Sequence, residues 1–161
     1  MASNMTVSYK QQQHDFGSCV NTPHYRDKNL YVIAGTSCDE SLLKELARSP
    51  QESIRIRVAE NPCTPLFTLL LLSRDPQTEV RLALIDNPKA TYSIICNLAK
   101  DDNPDVRFGL ADNPTAPLSI LCFLCQDENP YVAWRANSTI QKLFPEGVNM
   151  SASYPDTAIS A

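Results

Sequence analysis

A chain built from short α-helices, each packed on the next, is the fold class that the sequence predicts, and three observations predict it. Asn-Pro recurs at a fixed interval of 26 residues, as Asn61-Pro62, Asn87-Pro88 and Asn113-Pro114. Whole columns of side chains recur at the same interval. And 12 prolines stand against 4 glycines, a balance that suits short elements with defined ends and argues against a turn-rich β-sandwich.

The columns need no gaps. Leu46, Leu72, Leu98 and Leu124 form one, and Ile54, Val80, Val106 and Val132 another. Arg55, Arg81 and Arg107 form a third, and Asp75, Asp101 and Asp127 a fourth, with Ser49 in the Asp position of the first unit. A fixed period of this length is the signature of a repeat architecture. The units read 28–53, 54–79, 80–105 and 106–131, with a partial fifth over 132–144. The first is degraded, with Gly35-Thr36 in place of Asn-Pro and Asn29 in place of Arg, as terminal repeats often are. Residues 1–27 lack periodicity and are expected to be a flexible leader. Residues 145–161 are polar and small and are expected to be a disordered tail.

Each unit predicts two short helices. In TPLFTLLLLSRD, residues 64–75, Thr64 is expected to cap a helix and Pro65 to occupy its first position, where a missing N–H costs nothing. Leu69 and Leu72 then lie on one face, as do Ile94, Ile95, Leu98 and Ala99, and Ile120, Leu121, Leu124 and Cys125. The second helix is shorter. In NPDVRFGLADNP, residues 103–114, Asn103 is the cap, Pro104 the first residue, and Val106, Gly109 and Leu110 the apolar stripe. A residue before proline is pushed out of the α region, and Asn tolerates the turn that follows. Asn-Pro at 61–62, 87–88 and 113–114 therefore punctuates the chain, ending each short helix at a set length. Helices this short are marginal alone in water, so burial between units has to supply their stability.

The residues 54–80, IRIRVAENPCTPLFTLLLLSRDPQTEV, and 106–132, VRFGLADNPTAPLSILCFLCQDENPYV, resemble the leucine-rich repeat variant family. Its pattern runs Val-Arg, a short apolar stretch, Asn-Pro, a Pro-started Leu helix, Asp, then Val-Arg again. The rhythm is also similar to HEAT-type repeats. The resemblance covers about residues 50–143 and implies an all-α, right-handed α-solenoid of 26-residue repeats, each an α-helix plus a short α- or 3₁₀-helix. It implies no activity. Some members carry a cysteine-rich iron–sulfur module ahead of the repeats; here only Cys19 and Cys38 precede them, fewer than the four thiolates a cluster needs.

The formal charge is −4, so the chain lacks the bulk positive field that draws a protein to nucleic acid or anionic lipid. No apolar run is long enough for a membrane span, and the N-terminus lacks an apolar signal core, which predicts a cytoplasmic chain with its six cysteines reduced. Cys122 and Cys125 form C-x-x-C, a spacing open to metal or redox use. Cys125, however, shares its column with Ala47, Ser73 and Ala99, which favours packing. His14 and His24 lie in the leader with no fixed partner, and no Gly-rich phosphate loop exists, so neither catalysis nor a cofactor is expected.

Two surfaces remain as candidates. Arg55, Arg81 and Arg107, with Arg57 and Arg135 nearby, form either a phosphate-binding strip or a ladder with Asp75, Asp101 and Asp127, six residues upstream of the following Arg; the acidic balance favours the ladder. Leu71 and Phe123 share a column with Asn97 and Glu45, and such a mixed column is expected to be exposed and open to a partner. Trp134 shares its column with Ile56, Leu82 and Phe108, which predicts a core or half-core residue. The expected function is a non-catalytic scaffold that binds another protein, ahead of a nucleic-acid-contacting repeat protein and of a small metal or redox protein.

Overall fold

The computed structural model of the chain describes residues 23–146, with side chains described from Asn29 onward. The described residues are all-helical, with nine helices and no strand: α1 Pro23–Thr36, α2 Glu40–Leu46, α3 Glu52–Glu60, α4 Leu66–Leu72, α5 Thr78–Leu82, α6 Tyr92–Leu98, α7 Pro104–Asp112, α8 Leu118–Leu124 and α9 Pro130–Leu143. Helix α1 begins inside the segment expected to be leader, because Pro23 is a favourable first helical residue. The rest of that leader, 1–22, and most of the expected tail, 147–161, lie outside the described residues.

The helix ends follow the local chemistry. Helices α3 and α7 stop at the residue before Asn61 and Asn113, and both asparagines are extended, at ψ 121° and 114°, as the following proline demands. Where Asn-Pro is absent the helix runs on. α1 continues through Gly35-Thr36, two residues past the position that matches the end of α3, and α9 through Thr139-Ile140, five residues past the position that matches the end of α7. Asn103 and Asn129 cap α7 and α9 by accepting from the N–H of Asp105 and Tyr131, with proline next in both cases. Thr64 does not cap α4. Pro65 sits outside that helix in the extended region, and the Thr64 hydroxyl turns inward to donate to the Val58 carbonyl at 2.7 Å, satisfying a helix end in the core.

Helices α1, α3, α5, α7 and α9 pack in series, each on the next, and α2, α4, α6 and α8 lie alongside that row. The apolar columns supply the contact. Ile54, Val80, Val106 and Val132 are all buried, as are Val58, Leu84, Leu110 and Ala136, and Leu46, Leu72, Leu98 and Leu124. Each fully buried Leu or Val contributes roughly 1.5–3 kcal/mol. Gly109 lets α7 come close to α5, since a Cβ there would lie 2.7 Å from Leu82 Cδ2.

Asn87 does not end a helix as expected, because α5 stops at Leu82 and turns fill 83–86 before the Asn-Pro pair; the asparagines have a second role that all three share. Asn61, Asn87 and Asn113 are buried, and each amide reaches back to an earlier linker. Asn61 Nδ2 donates to the carbonyls of Ala34 and Ser37, both at 2.8 Å, and Asn87 Nδ2 to those of Ala59 and Asn61 at 2.5 and 3.1 Å. Asn113 Nδ2 donates to Asp86 Oδ1 at 3.1 Å. Each Oδ1 accepts from the N–H two residues on, fixing its own turn. Helix-end carbonyls that would otherwise be buried without partners are thereby satisfied.

Asn87→Ala strands the carbonyls of Ala59 and Asn61 and is expected to cost about 2–3 kcal/mol in urea unfolding. An unchanged midpoint would remove the amide from the list of structural ties. Thr139→Asn with Ile140→Pro is expected to shorten α9, seen as lost helical circular dichroism and faster amide exchange beyond residue 139.

Candidate interaction face

The conspicuous charged column is spent on internal bonds. Arg55 Nε and Nη2 donate to Asp75 at 2.7 and 2.9 Å, Arg81 to Asp101 at 2.7 and 2.9 Å, and Arg107 to Asp127 at 2.7 and 3.0 Å. These are bidentate guanidinium–carboxylate pairs, the strong geometry for such contacts. The partner carboxylate lies twenty residues downstream, not six upstream as the sequence spacing suggested. What lies six upstream is a backbone acceptor: Arg55 Nη1 donates to Ser49 O, Arg81 to Asp75 O and Arg107 to Asp101 O. Each guanidinium thus clamps its own Asp and the linker before it. Each Asp in turn accepts from the N–H of Gln77, Asn103 or Asn129, holding the turn into the next helix.

Burial raises the Asp75 carboxyl, but the bonds from Arg55 and the Gln77 N–H outweigh it and hold the group below its usual range. Asp127 behaves alike, raised by burial and brought lower by Arg107 and the Asn129 N–H. The hydrogen bonds that they donate to the carboxylates raise Arg55, Arg81 and Arg107 against the opposing effect of burial. The guanidinium–carboxylate pairs are largely shielded from water. The three arginines therefore present few donors to an external phosphate. Arg135 stands apart from this column: it pairs with Asp112 at 3.3 Å and lies over the rings of Phe108 and Trp134.

A second column of cations, unremarked in the sequence because it lacks the Val-Arg signature, is exposed. Arg48, Arg74 and Lys100 follow the ends of α2, α4 and α6 at the 26-residue interval. Among the described residues none of the three has an ion-pair partner.

Apolar side chains face outward on the flanking helices. On α4, Leu66 and Leu71 are exposed and Phe67 is 72% exposed; on α6, Tyr92 is 56% exposed; on α8, Phe123 is exposed. Leu71 and Phe123 do not touch as a pair, because α6 intervenes with the exposed Asn97 at the matching position. The Tyr92 hydroxyl lies 3.2 Å from Ser119 Oγ, joining α6 to α8. Beside Tyr92 a cleft of about 390 Å³ is lined by Ile85, Asp86, Leu110, Asn113 and Pro117. Trp134 is not a core residue. It is 63% exposed, because α9 is the last described helix and no following helix covers it as α9 covers α7.

The cysteines also differ from expectation. Cys38 and Cys63 are joined in a disulfide, Cα to Cα 5.1 Å, so the reading that all six stay reduced does not hold for this pair. No column relates the two positions, which is why the sequence interval did not reveal them. Cys96, Cys122 and Cys125 are free thiols. Cys122 is buried and Cys125 half-buried, and burial together with the neighbouring Cys122 pushes the Cys125 thiol up. Among the described residues no group of three or more His, Cys, Asp or Glu is placed to hold a metal ion, and no helix is long and apolar enough to cross a membrane. His14 and Cys19 lie outside the described residues, and His24 falls within α1.

No family model, curated protein or solved structure matches the chain.

Arg81→Ala leaves the Asp75 carbonyl without its side-chain donor and the Asp101 carboxylate with only the Asn103 N–H, and is expected to cost about 3 kcal/mol. Arg81→Lys, which cannot bind both carboxylate oxygens in a plane, is expected to recover only part of it. Asp75 and Asp127 sit below their unfolded value of 3.8, so their contribution is complete above that value and is lost as pH falls through the lower folded one. The thermal midpoint is expected to drop on acidification below about pH 4, and Asp127→Asn to flatten that drop. A wild-type midpoint insensitive to acid would contradict the assignment.

Proposed function

We propose that the chain is a non-catalytic helical-repeat scaffold: a right-handed α-solenoid of 26-residue repeats, of the kind its resemblance to leucine-rich repeat variant and HEAT-type repeats implies, which binds another protein along one face. The observation that carries this reading is the outward row on α4, α6 and α8, where Leu66, Phe67, Leu71, Tyr92 and Phe123 are exposed on helices whose opposite faces are fully committed to the core. Exposed aromatics on a rigid support are the usual anchors of a protein interface, losing little entropy on binding. The cleft beside Tyr92 offers a recess for a partner side chain. The repeated polar ties keep the row rigid, so a partner meets a preorganised surface.

A second reading has one observation in its favour. Arg48, Arg74 and Lys100 line up on exposed helix ends, and three cations spaced by about 10 Å suit a nucleic-acid backbone. Their place after helix C-termini also suits the helix dipole, which needs no ligand, and that leaves the protein-binding reading first.

Phe67→Ser, Leu71→Ser and Phe123→Ser together are expected to change unfolding free energy by no more than ~0.5 kcal/mol each while removing a partner retained by wild-type protein in affinity capture. A partner retained equally by both proteins would place the binding elsewhere. The second reading requires a gel shift that weakens steeply with salt and is lost in Arg74→Ala with Lys100→Ala; no shift at low salt would exclude it.

A further inference from the structure

The sequence period makes one helix pair exceptional. Three ion pairs tie α3, α5 and α7 to the segments that follow α4, α6 and α8. The matching positions for α1 and α2 hold Asn29 and Ser49, and no ion pair joins them. The pair α1–α2 is instead fastened to α3 from outside: by Arg55 on the Ser49 carbonyl, by the Asn61 amide on the carbonyls of Ala34 and Ser37, by Arg57 lying over the Tyr31 ring, and by the disulfide. Cys38 sits in the exposed linker between α1 and α2, and Cys63, half-buried, in the linker between α3 and α4. The matching positions at the next two junctions are Thr64 with Lys89 and Ala90 with Thr115, which cannot be bonded. The one covalent tie among the described residues thus falls on the one pair that lacks the ionic tie.

We propose that Cys38 and Cys63 form an oxidation-controlled lock that holds α1–α2 on the rest of the helices. The oxidant is a small-molecule disulfide. The thiolate of exposed Cys38 attacks one of its sulfurs, releasing one thiol and leaving a mixed disulfide; the Cys63 thiolate then attacks Cys38 Sγ, releasing the second thiol. Two electrons pass from the protein to the oxidant, and the reverse exchange with two small thiols opens the lock. Bridging a loop of 25 residues shifts the opening of the segment by roughly 10²-fold on the chain-entropy account. With the lock open, α1–α2, the first of the described helix pairs, detaches by local unfolding and uncovers the α3 surface on which α1 packs. The inference is independent of which partner the outward face binds.

The test uses the full chain equilibrated with oxidised or with reduced glutathione. Alkylation and peptide mapping report the bond, and hydrogen exchange reports opening. The expected results are a Cys38–Cys63 peptide in the oxidised sample and exchange in α1–α2 slowed by about 10²-fold relative to the reduced sample, with α7–α9 alike in both. Cys38→Ser and Cys63→Ser should match the reduced chain in either buffer. If those variants do not fold, the reduced wild-type chain supplies the same comparison without substitution. Pairing of either cysteine with Cys19 instead, equal exchange in α1–α2 in both samples, or loss of protection throughout the chain on reduction would each overturn the proposal.

Discussion

Helices of five to nine residues cannot stand alone in water, because the cost of ordering the first turn is not recovered over so few backbone bonds. Everything else in this chain answers that constraint. Apolar columns give each helix a buried face, but non-directional burial does not fix how far one helix slides along the next. The polar ties do. Between α3, α5 and α7 a buried Asn amide sets the position of a linker against the one before it and an Arg fork sets the opposite edge, so these junctions are pinned at both ends; α1–α2 has the Asn tie without the ion pair, and at α9 Ala133 and Thr139 stand in the Arg and Asn positions. Because both groups are buried, a shift in register would strand polar atoms without partners, a larger penalty than the loss of a few apolar contacts.

How far the fold was legible in the sequence depends on which interactions are local. Helix ends at Asn-Pro follow from the conformational restriction before proline, and α3 and α7 obey it. So do α1 and α9 in the converse sense, running on where the pair is missing. The Asn amide bonds were not legible, because their acceptors lie 24 to 28 residues earlier and depend on how neighbouring helices seat. The Arg partners illustrate a different limit. An Asp six residues before an Arg and an Asp twenty after it occupy the same column, so a periodic sequence cannot say which of them the side chain meets. Geometry gives the carboxylate to one and the backbone carbonyl to the other.

The candidate face was legible only in outline. A column that mixes Glu45, Leu71, Asn97 and Phe123 is tolerant because it points to water, and Leu71 and Phe123 are exposed. A lone aromatic among leucines looks like core, yet Phe67 and Tyr92 are both exposed. Trp134 misled for a related reason. Column reasoning assumes that every unit has a neighbour on each side, and among the described residues that assumption fails at α9.

The tie made by each Arg and each Asn has a consequence for how such a chain changes length. The Arg bonds keep the same offsets in step with the 26-residue interval, and each Asn amide reaches back to the preceding helix end or linker, so a whole block is close to an interchangeable part. Excising residues 80–105 would leave Arg55 with Asp75, present the Asp75 carbonyl to Arg107 where Arg81 now takes it, and set Asn113 over the carbonyls that Asn87 holds. Gain or loss of a block therefore requires no new junction to be invented, and the outward surface is adjustable in steps of one helix pair.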